Sequence, residues 1–551
     1  MFFDLNTVSI WQLNRSYILL ALLVLLLAPA PQTGSAQSGL DPGGPWLIYS
    51  AASGLIAANP DGSGQITLAL RPDAETTFRA APAPTGDRLI LITQKLPGSD
   101  PAASLRLITL PGGGSRLLIG SLLPPETTPA MGRSYALNAF NPAAGGPVWS
   151  PGGERLVYTS AHEGQPQLYL YTAASGSSIR LTDSDTYPAN PIWSPNGRRL
   201  IWQERLHAGH GGAAAVMMVS FASESGRVPS AGPAALDLTS PDDGGGVREG
   251  EEWVFVGWQT PDRFLYSAHD ARTGAEGLYV YDCQAGAAAP LLPPTAITPP
   301  AFDAASGMAV FAVPQAAAGM ESGVYRLDTW RGAVTRILPG SAESVHWLPG
   351  LSAFSINQAG SISLLPPDAP AVTATLNWQG MVFPAPRGEQ LAYYRSGGFM
   401  QGPALAAASG PTAPPNLVWE GVSSLPVWSP DGHMIYAIVS DGAAHSLIAS
   451  ADGAGEYTVL DPRARPDVLL MLVPREVAVF ADVEIPLRER PADSAAIQAT
   501  LDGDEPITRL RGRNRAANWL MIRLADGREG WVQTAALTTS GAIESLPILA
   551  N

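Results

Sequence analysis

The 551-residue sequence predicts an all-β protein: a ring of about eight four-stranded blades and a small C-terminal barrel, preceded by an export signal. Three observations carry that expectation. A tryptophan-and-turn unit recurs along residues 37–474, the pattern changes over 475–540, and a short apolar run lies near the start, within 1–36. Residues 541–551 read as a tail.

The repeat is clearest at Pro147-Val148-Trp149-Ser150-Pro151-Gly152-Gly153, at Pro191-Ile192-Trp193-Ser194-Pro195-Asn196-Gly197 and at Pro426-Val427-Trp428-Ser429-Pro430-Asp431-Gly432. Each is followed by an apolar β-rich stretch, such as Leu200-Ile201-Trp202. Weaker copies begin near Pro82, Val256, Ala301, Val345 and Phe383, while Trp46–Ser50 resembles a first unit that lacks its leading segment. The usual spacing of about 38 to 45 residues suits one four-stranded blade per unit. Proline presets φ in the turn and the glycine accepts positive φ, so the chain reverses between two strands. One such sheet cannot bury both faces, so blades must stack around an axis as a β-propeller. Trp149, Trp193 and Trp428 are then expected between blades, with Pro151, Pro195 and Pro430 shaping the turns. Residues 119–142 and 207–252 exceed the period and are expected to project as loops. Asp467–Val473 either closes the ring or links it to the C-terminal barrel.

The Pro-x-Trp-Ser-Pro-Asp/Asn-Gly unit resembles the WD40-like repeat of TolB-type propellers, which also occurs in propellers attached to prolyl-oligopeptidase-type peptidases. The resemblance covers roughly residues 40 to 470. No Gly-x-Ser-x-Gly elbow occurs and no helical segment is long enough to carry one, which argues against an attached hydrolase domain.

Near the N-terminus, Arg15 precedes the run Tyr17–Ala28, followed by Pro29, Pro31 and Gly34-Ser35-Ala36. A basic flank, a short apolar core and small residues describe a secretory signal cut after Ala36, with an uncleaved anchor as the alternative. The expected location is extracytoplasmic: secreted, periplasmic or associated with the cell envelope. A formal net charge of −15 argues against nucleic acid as a partner. The single cysteine, Cys283, ends an apolar run and reads as a buried, inert thiol.

Beyond residue 474 come Leu487-Arg488-Glu489-Arg490-Pro491, Gly503-Asp504, Trp519–Leu524 and Asp526-Gly527-Arg528-Glu529-Gly530-Trp531-Val532. The last two read as a hairpin with an Asp-Gly turn. This stretch resembles the bacterial SH3 (SH3b) domain at Arg488, Pro491, Gly503, Trp519, Gly527, Gly530 and Trp531, and departs from it at Pro486. The resemblance implies a module that binds cell-wall peptide or glycan, with Arg488, Trp519, Arg528 and Trp531 as candidate ligand contacts. Arginines 509, 511, 513 and 515 alternate into a loop and read as a solvated strand face.

No catalytic residues, metal ligands or cofactor site are expected. His207 and His210 lie in a Gly/Ala-rich stretch without paired carboxylates, Glu249–Glu252 reads as a solvated loop, and the Asp-Gly pairs at Asp61, Asp431 and Asp452 lack calcium-loop spacing. The sequence therefore suggests an exported, non-enzymatic scaffold whose propeller docks a protein or glycan and whose terminal module touches envelope material. The alternative is a propeller enzyme, a hydrolase or a sugar-active protein, with its site in the axial channel.

Overall fold

A computed structural model of the chain describes residues 39–540, apart from 96–101, 124–145, 206–212, 223–228, 239–250, 271–274, 396–401, 452–454, 475–477, 482–483, 502–506, 525–527 and a few single or paired positions. The export signal, the His207/His210 pair, Asp452, Arg515 and the tail lie outside the described residues, as does most of the 119–142 stretch.

Each Trp-Ser-Pro unit opens a blade because its turn is closed locally. In residues 194–199, Ser194 N donates to Arg199 O and Gly197 N to Ser194 O, both at 2.8 Å. The Ser194 hydroxyl accepts from Arg199 N at 2.8 Å, and Gly197 takes φ +66°. The units at 150–155 and 429–434 repeat this pattern. Side-chain capping of backbone groups thus closes the hairpin with contacts that lie within the turn itself.

Nine four-stranded antiparallel sheets result, one more than the eight favoured from the repeats. Blade 1 spans 46–70, blade 2 76–119, blade 3 148–180, blade 4 187–235 and blade 5 251–295. Blade 6 spans 301–339, blade 7 344–376, blade 8 381–420 and blade 9 427–461. The units that open blades 2, 5, 6, 7 and 8 lack the Trp-Ser-Pro turn, which blurs the count. The 207–252 stretch is not simply a projecting loop: Ala213–Ser220 and Ala234–Ala235 are the third and fourth strands of blade 4. Small side chains disguise a strand whose backbone is satisfied by its neighbour.

Blade 1 lacks a leading strand of its own. Ala464–Leu472 fills that place, pairing Trp46 with Leu472 and Tyr49 with Leu469, then shifting register so that Ser50 faces Arg465. The Ser50 hydroxyl bridges the shift, donating to Arg465 O at 2.7 Å and accepting from Val468 N at 3.1 Å. Gly86 (φ +71°) lies against the end of this strand; a Cβ there would sit 1.8 Å from the Val473 carbonyl oxygen. The ring is closed by its two chain ends.

Alternating side chains on each blade face opposite neighbours. Ile48 packs toward Phe78 and Leu89 of blade 2, whereas Leu47 and Tyr49 pack toward Tyr436 and Ile438 of blade 9. Nine buried clusters result, one at each seam of a closed nine-blade ring. Trp149 and Trp193 are buried in their seams and donate Nε1 to the leading strand of the preceding blade, at Ala81 O (3.1 Å) and Val148 O (3.2 Å). Trp428 does the same to Phe383 O at 2.9 Å but is only half-buried.

A chain of arginines is not apparent from the repeat alone. The residue opening the second strand is Arg88, Arg155 and Arg199 in blades 2, 3 and 4, and each reaches the turn of the next blade. Arg88 Nη2 lies 3.5 Å from Glu154, Arg155 Nη2 donates to Gly197 O at 2.8 Å, and Arg199 Nη1 donates to Pro261 O at 3.1 Å. Fully buried, Arg155 lies 4.9 Å from the ring centroid of Trp193 and 4.1 Å from that of Phe221.

The C-terminal module is a five-stranded antiparallel sheet in the order Ile497–Leu501, Ile485–Arg488, Glu529–Gln533, Trp519–Leu524, Ile507–Arg513. It has its own core of Ile485, Leu487, Leu501, Leu520, Ile522 and Val532. Its first strand, Ala478–Ala481, pairs with its last, Leu537–Ser540. Cys283 is half-buried, not fully buried as expected, and its thiol is pushed up to about 11 by that burial.

Candidate functional site in the groove between two blades

Contacts between the leading strands of successive blades place these strands at the axis. They leave Arg79, Val254, His346 and Met381 exposed. Among the described residues, no three of His, Cys, Asp and Glu gather as a metal site would require. A depression of about 510 Å³ lies between Pro386, Trp428, Pro430, Met471 and Val473, and its lining carries no ionisable side chain.

Chemistry-bearing groups converge instead between blades 2 and 3, in a pocket of about 480 Å³. Alternation on blade 3 aims Tyr158, Tyr169 and Tyr171 at blade 2. Tyr158 and Tyr169 are cross-strand partners with ring centroids 5.7 Å apart and planes inclined by 18°. The opposite wall is the outer strand of blade 2, Gly114–Ile119, which contributes Arg116.

Glu163 organises one side. It accepts from the Tyr169 hydroxyl at 3.0 Å and from Arg180 Nη1 at 3.1 Å, while Arg180 Nε donates to Thr182 O at 2.7 Å and Nη2 pairs with Asp183. The His162 ring lies 4.9 Å from that of Tyr169; its Nδ1 is 2.9 Å from Ser160 Oγ and its Nε2 3.7 Å from Glu163 Oε1. The order Ser160, His162, Glu163 is not a nucleophile relay. Ser160 is 1 % exposed, and its hydroxyl caps the His162 backbone N–H. Arg116 Nη2 donates to Gly176 O at 2.6 Å, bridging the two blades.

Tyr158 closes the floor. It is 1 % exposed, and its hydroxyl makes no hydrogen bond of ordinary geometry to the described residues. Burial pushes its phenol up to about 12, with the nearby Ser178 hydroxyl acting in the opposite direction. Burial, reinforced by the Glu163 carboxylate, also raises Tyr169. Both stay protonated donors at neutral pH. With Glu163 as acceptor, the pocket can exchange hydrogen bonds with several hydroxyls at once.

Of the candidate contacts in the C-terminal module, Arg488 and Trp531 are cross-strand partners. Trp519 and Trp531 are buried, at 5 % and 3 % exposed. Arg488 is half-buried and donates Nη1 to Ala495 O at 2.7 Å, and Arg528 is exposed. In the repeat turns, Pro151 and Pro195 are exposed and Pro430 is half-buried. None of the groove residues stands out in the sequence, although the alternation Gln167-Leu168-Tyr169-Leu170-Tyr171 already places two phenols on one strand face.

The ring of four-stranded blades defines this chain as a β-propeller. No protein-family profile matches it, and no curated protein does. Similar solved structures include the β-propeller domain of the Trilobed protease from Pyrococcus furiosus, 12% identical, covering 72% of this chain and 98% of that one with a TM-score of 0.36. They also include TolB from Acinetobacter baumannii, 12% identical over 77% and 81% of the two chains with a TM-score of 0.27. A third is an oligogalacturonate lyase from Vibrio parahaemolyticus, 11% identical over 55% and 88% with a TM-score of 0.36. Likeness at this level concerns the fold. The expectation of a non-enzymatic protein is not upheld, since the similar solved structures include an oligogalacturonate lyase and a protease's propeller domain.

Proposed function

We propose that this protein is an exported, sugar-active propeller that takes a small hydroxyl-rich ligand in the groove between blades 2 and 3. The C-terminal module contacts envelope material in this reading, and the apolar run over 17–28 directs export. Among the described residues, no helix is long and apolar enough to cross a membrane. The observation that carries the proposal is the convergence of Tyr158, Tyr169, His162, Glu163, Arg116 and Arg180 on one pocket of about 480 Å³. That size lies within the range of small-molecule sites, and phenols, a carboxylate and guanidinium groups together supply the donors and acceptors that a hydroxyl-rich ligand needs. Glu163, oriented by Tyr169 and Arg180, is the group placed to accept a proton from a ligand hydroxyl.

The test is a thermal-shift screen of the chain from residue 37 onward against mono- and disaccharides, with Glu163→Gln in parallel. A binder should raise the melting temperature of the unaltered protein and lose most of that effect in the variant. If no saccharide shifts the melt, or if the shift survives Glu163→Gln, the groove is not the site.

A further inference from the structure

Resting on that reading, we infer that the ligand is an acidic sugar whose carboxylate is held by Arg116 and whose ring or hydroxyl oxygen is held by the Tyr158 hydroxyl.

The pocket's polar groups differ in what they have left to offer. Arg180 is matched by Glu163 and Asp183, so its charge is already met within the protein. The Tyr169 hydroxyl is spent on Glu163. Two groups remain. Tyr158 brings a buried phenol to the floor whose hydroxyl makes no hydrogen bond of ordinary geometry to the described residues, although the Ser178 hydroxyl stands near it. Arg116, on the facing strand of blade 2, has no carboxylate partner among the described residues. Its bond to the Gly176 carbonyl fixes the guanidinium at the wall and leaves further N–H groups to offer. A ligand that completes the site therefore presents an acceptor to Tyr158 and an anion to Arg116. It also needs a hydroxyl donor for Glu163, whose carboxylate accepts hydrogen bonds and repels a second negative charge nearby. A neutral sugar leaves Arg116 unanswered, and a phosphate dianion brings no donor for Glu163. A sugar ring bearing one carboxylate meets all three demands.

The test titrates the same chain calorimetrically with D-glucuronate, methyl glucoside and inorganic phosphate. Glucuronate is expected to bind about tenfold more tightly than the glucoside, the scale of one charge-assisted contact. Arg116→Gln should abolish that preference, bringing glucuronate down to the affinity the same variant shows for the glucoside. Tyr158→Phe, which keeps the ring and the fold, should weaken both sugars severalfold. Equal binding of the two sugars, or a preference that survives Arg116→Gln, overturns the inference while the saccharide reading stands. Unchanged binding in Tyr158→Phe removes the floor contact. Binding of phosphate alone, or of none of the three, overturns both readings.

Discussion

Replacing Trp193 with alanine opens one seam of the ring. The indole is 6 % exposed and packs among Val157, Leu168 and Leu170 of blade 3, with Phe221 5.4 Å away between ring centroids. Removing a buried tryptophan costs about 3–5 kcal/mol in lost transfer energy and residual cavity. Losing the 3.2 Å bond to Val148 O costs about 1 kcal/mol more. The buried Arg155 guanidinium, 4.9 Å from the ring centroid, also loses one of its two aromatic faces, worth about 1 kcal/mol. These terms share atoms and do not simply add, so about 4–5 kcal/mol is expected in total. Chemical denaturation followed by circular dichroism measures the change, and Trp193→Phe separates the contributions. Phenylalanine keeps much of the volume and loses the N–H, so about 1–2 kcal/mol is expected for it. An alanine variant destabilised by less than about 1 kcal/mol would refute the seam argument, because no relaxed cavity of that size costs so little.

The same geometry sets three other outcomes. A chain ended at residue 474 should melt cooperatively, whereas one ended at 463 should not, because the latter deprives blade 1 of Ala464–Leu472; similar melts in both would show that closure by the chain ends is dispensable. Cys283, with its thiol pushed up to about 11, holds only about one part in a thousand as thiolate at pH 8, so alkylation should run far slower in the native protein than in denaturant, and equal rates would contradict the burial. Asp431 is held below the usual carboxylate range, first by the Ser429 hydroxyl and then by His433 N–H, and Asp61 is likewise lowered by Ser63. A depressed folded pKa contributes stability that is present above the unfolded value, near 4, and is lost as the pH falls through the folded value. The denaturation midpoint should therefore drop on acidification below about pH 4, less steeply in Asp431→Asn, and parallel pH profiles for the two proteins would rule the turn out as a contributor.

The features legible in the sequence are local ones. The Ser194 and Gly197 turn is set by atoms within six residues of one another, so proline, glycine and a capping hydroxyl announce it directly. The missing leader of Trp46–Ser50 is equally visible as an unfinished unit. The blade count is harder, because Ala301–Asp303 opens blade 6 with three residues and no tryptophan turn. The groove is harder still: Tyr169 and Tyr171 show only strand alternation, and nothing near them in sequence points to Arg116.

By itself, the sequence determined the all-β class, the four-strand unit and the turns, because each depends on periodicity and backbone preference over a few residues. Only the tertiary structure decided that nine blades close the ring, that Ala464–Leu472 completes the sheet begun at Trp46, and that Arg116 faces Tyr158 across a seam. Those are matters of which sheet stacks on which. They are settled by burying each blade's two faces against two partners, a constraint that exists only once the whole ring is assembled.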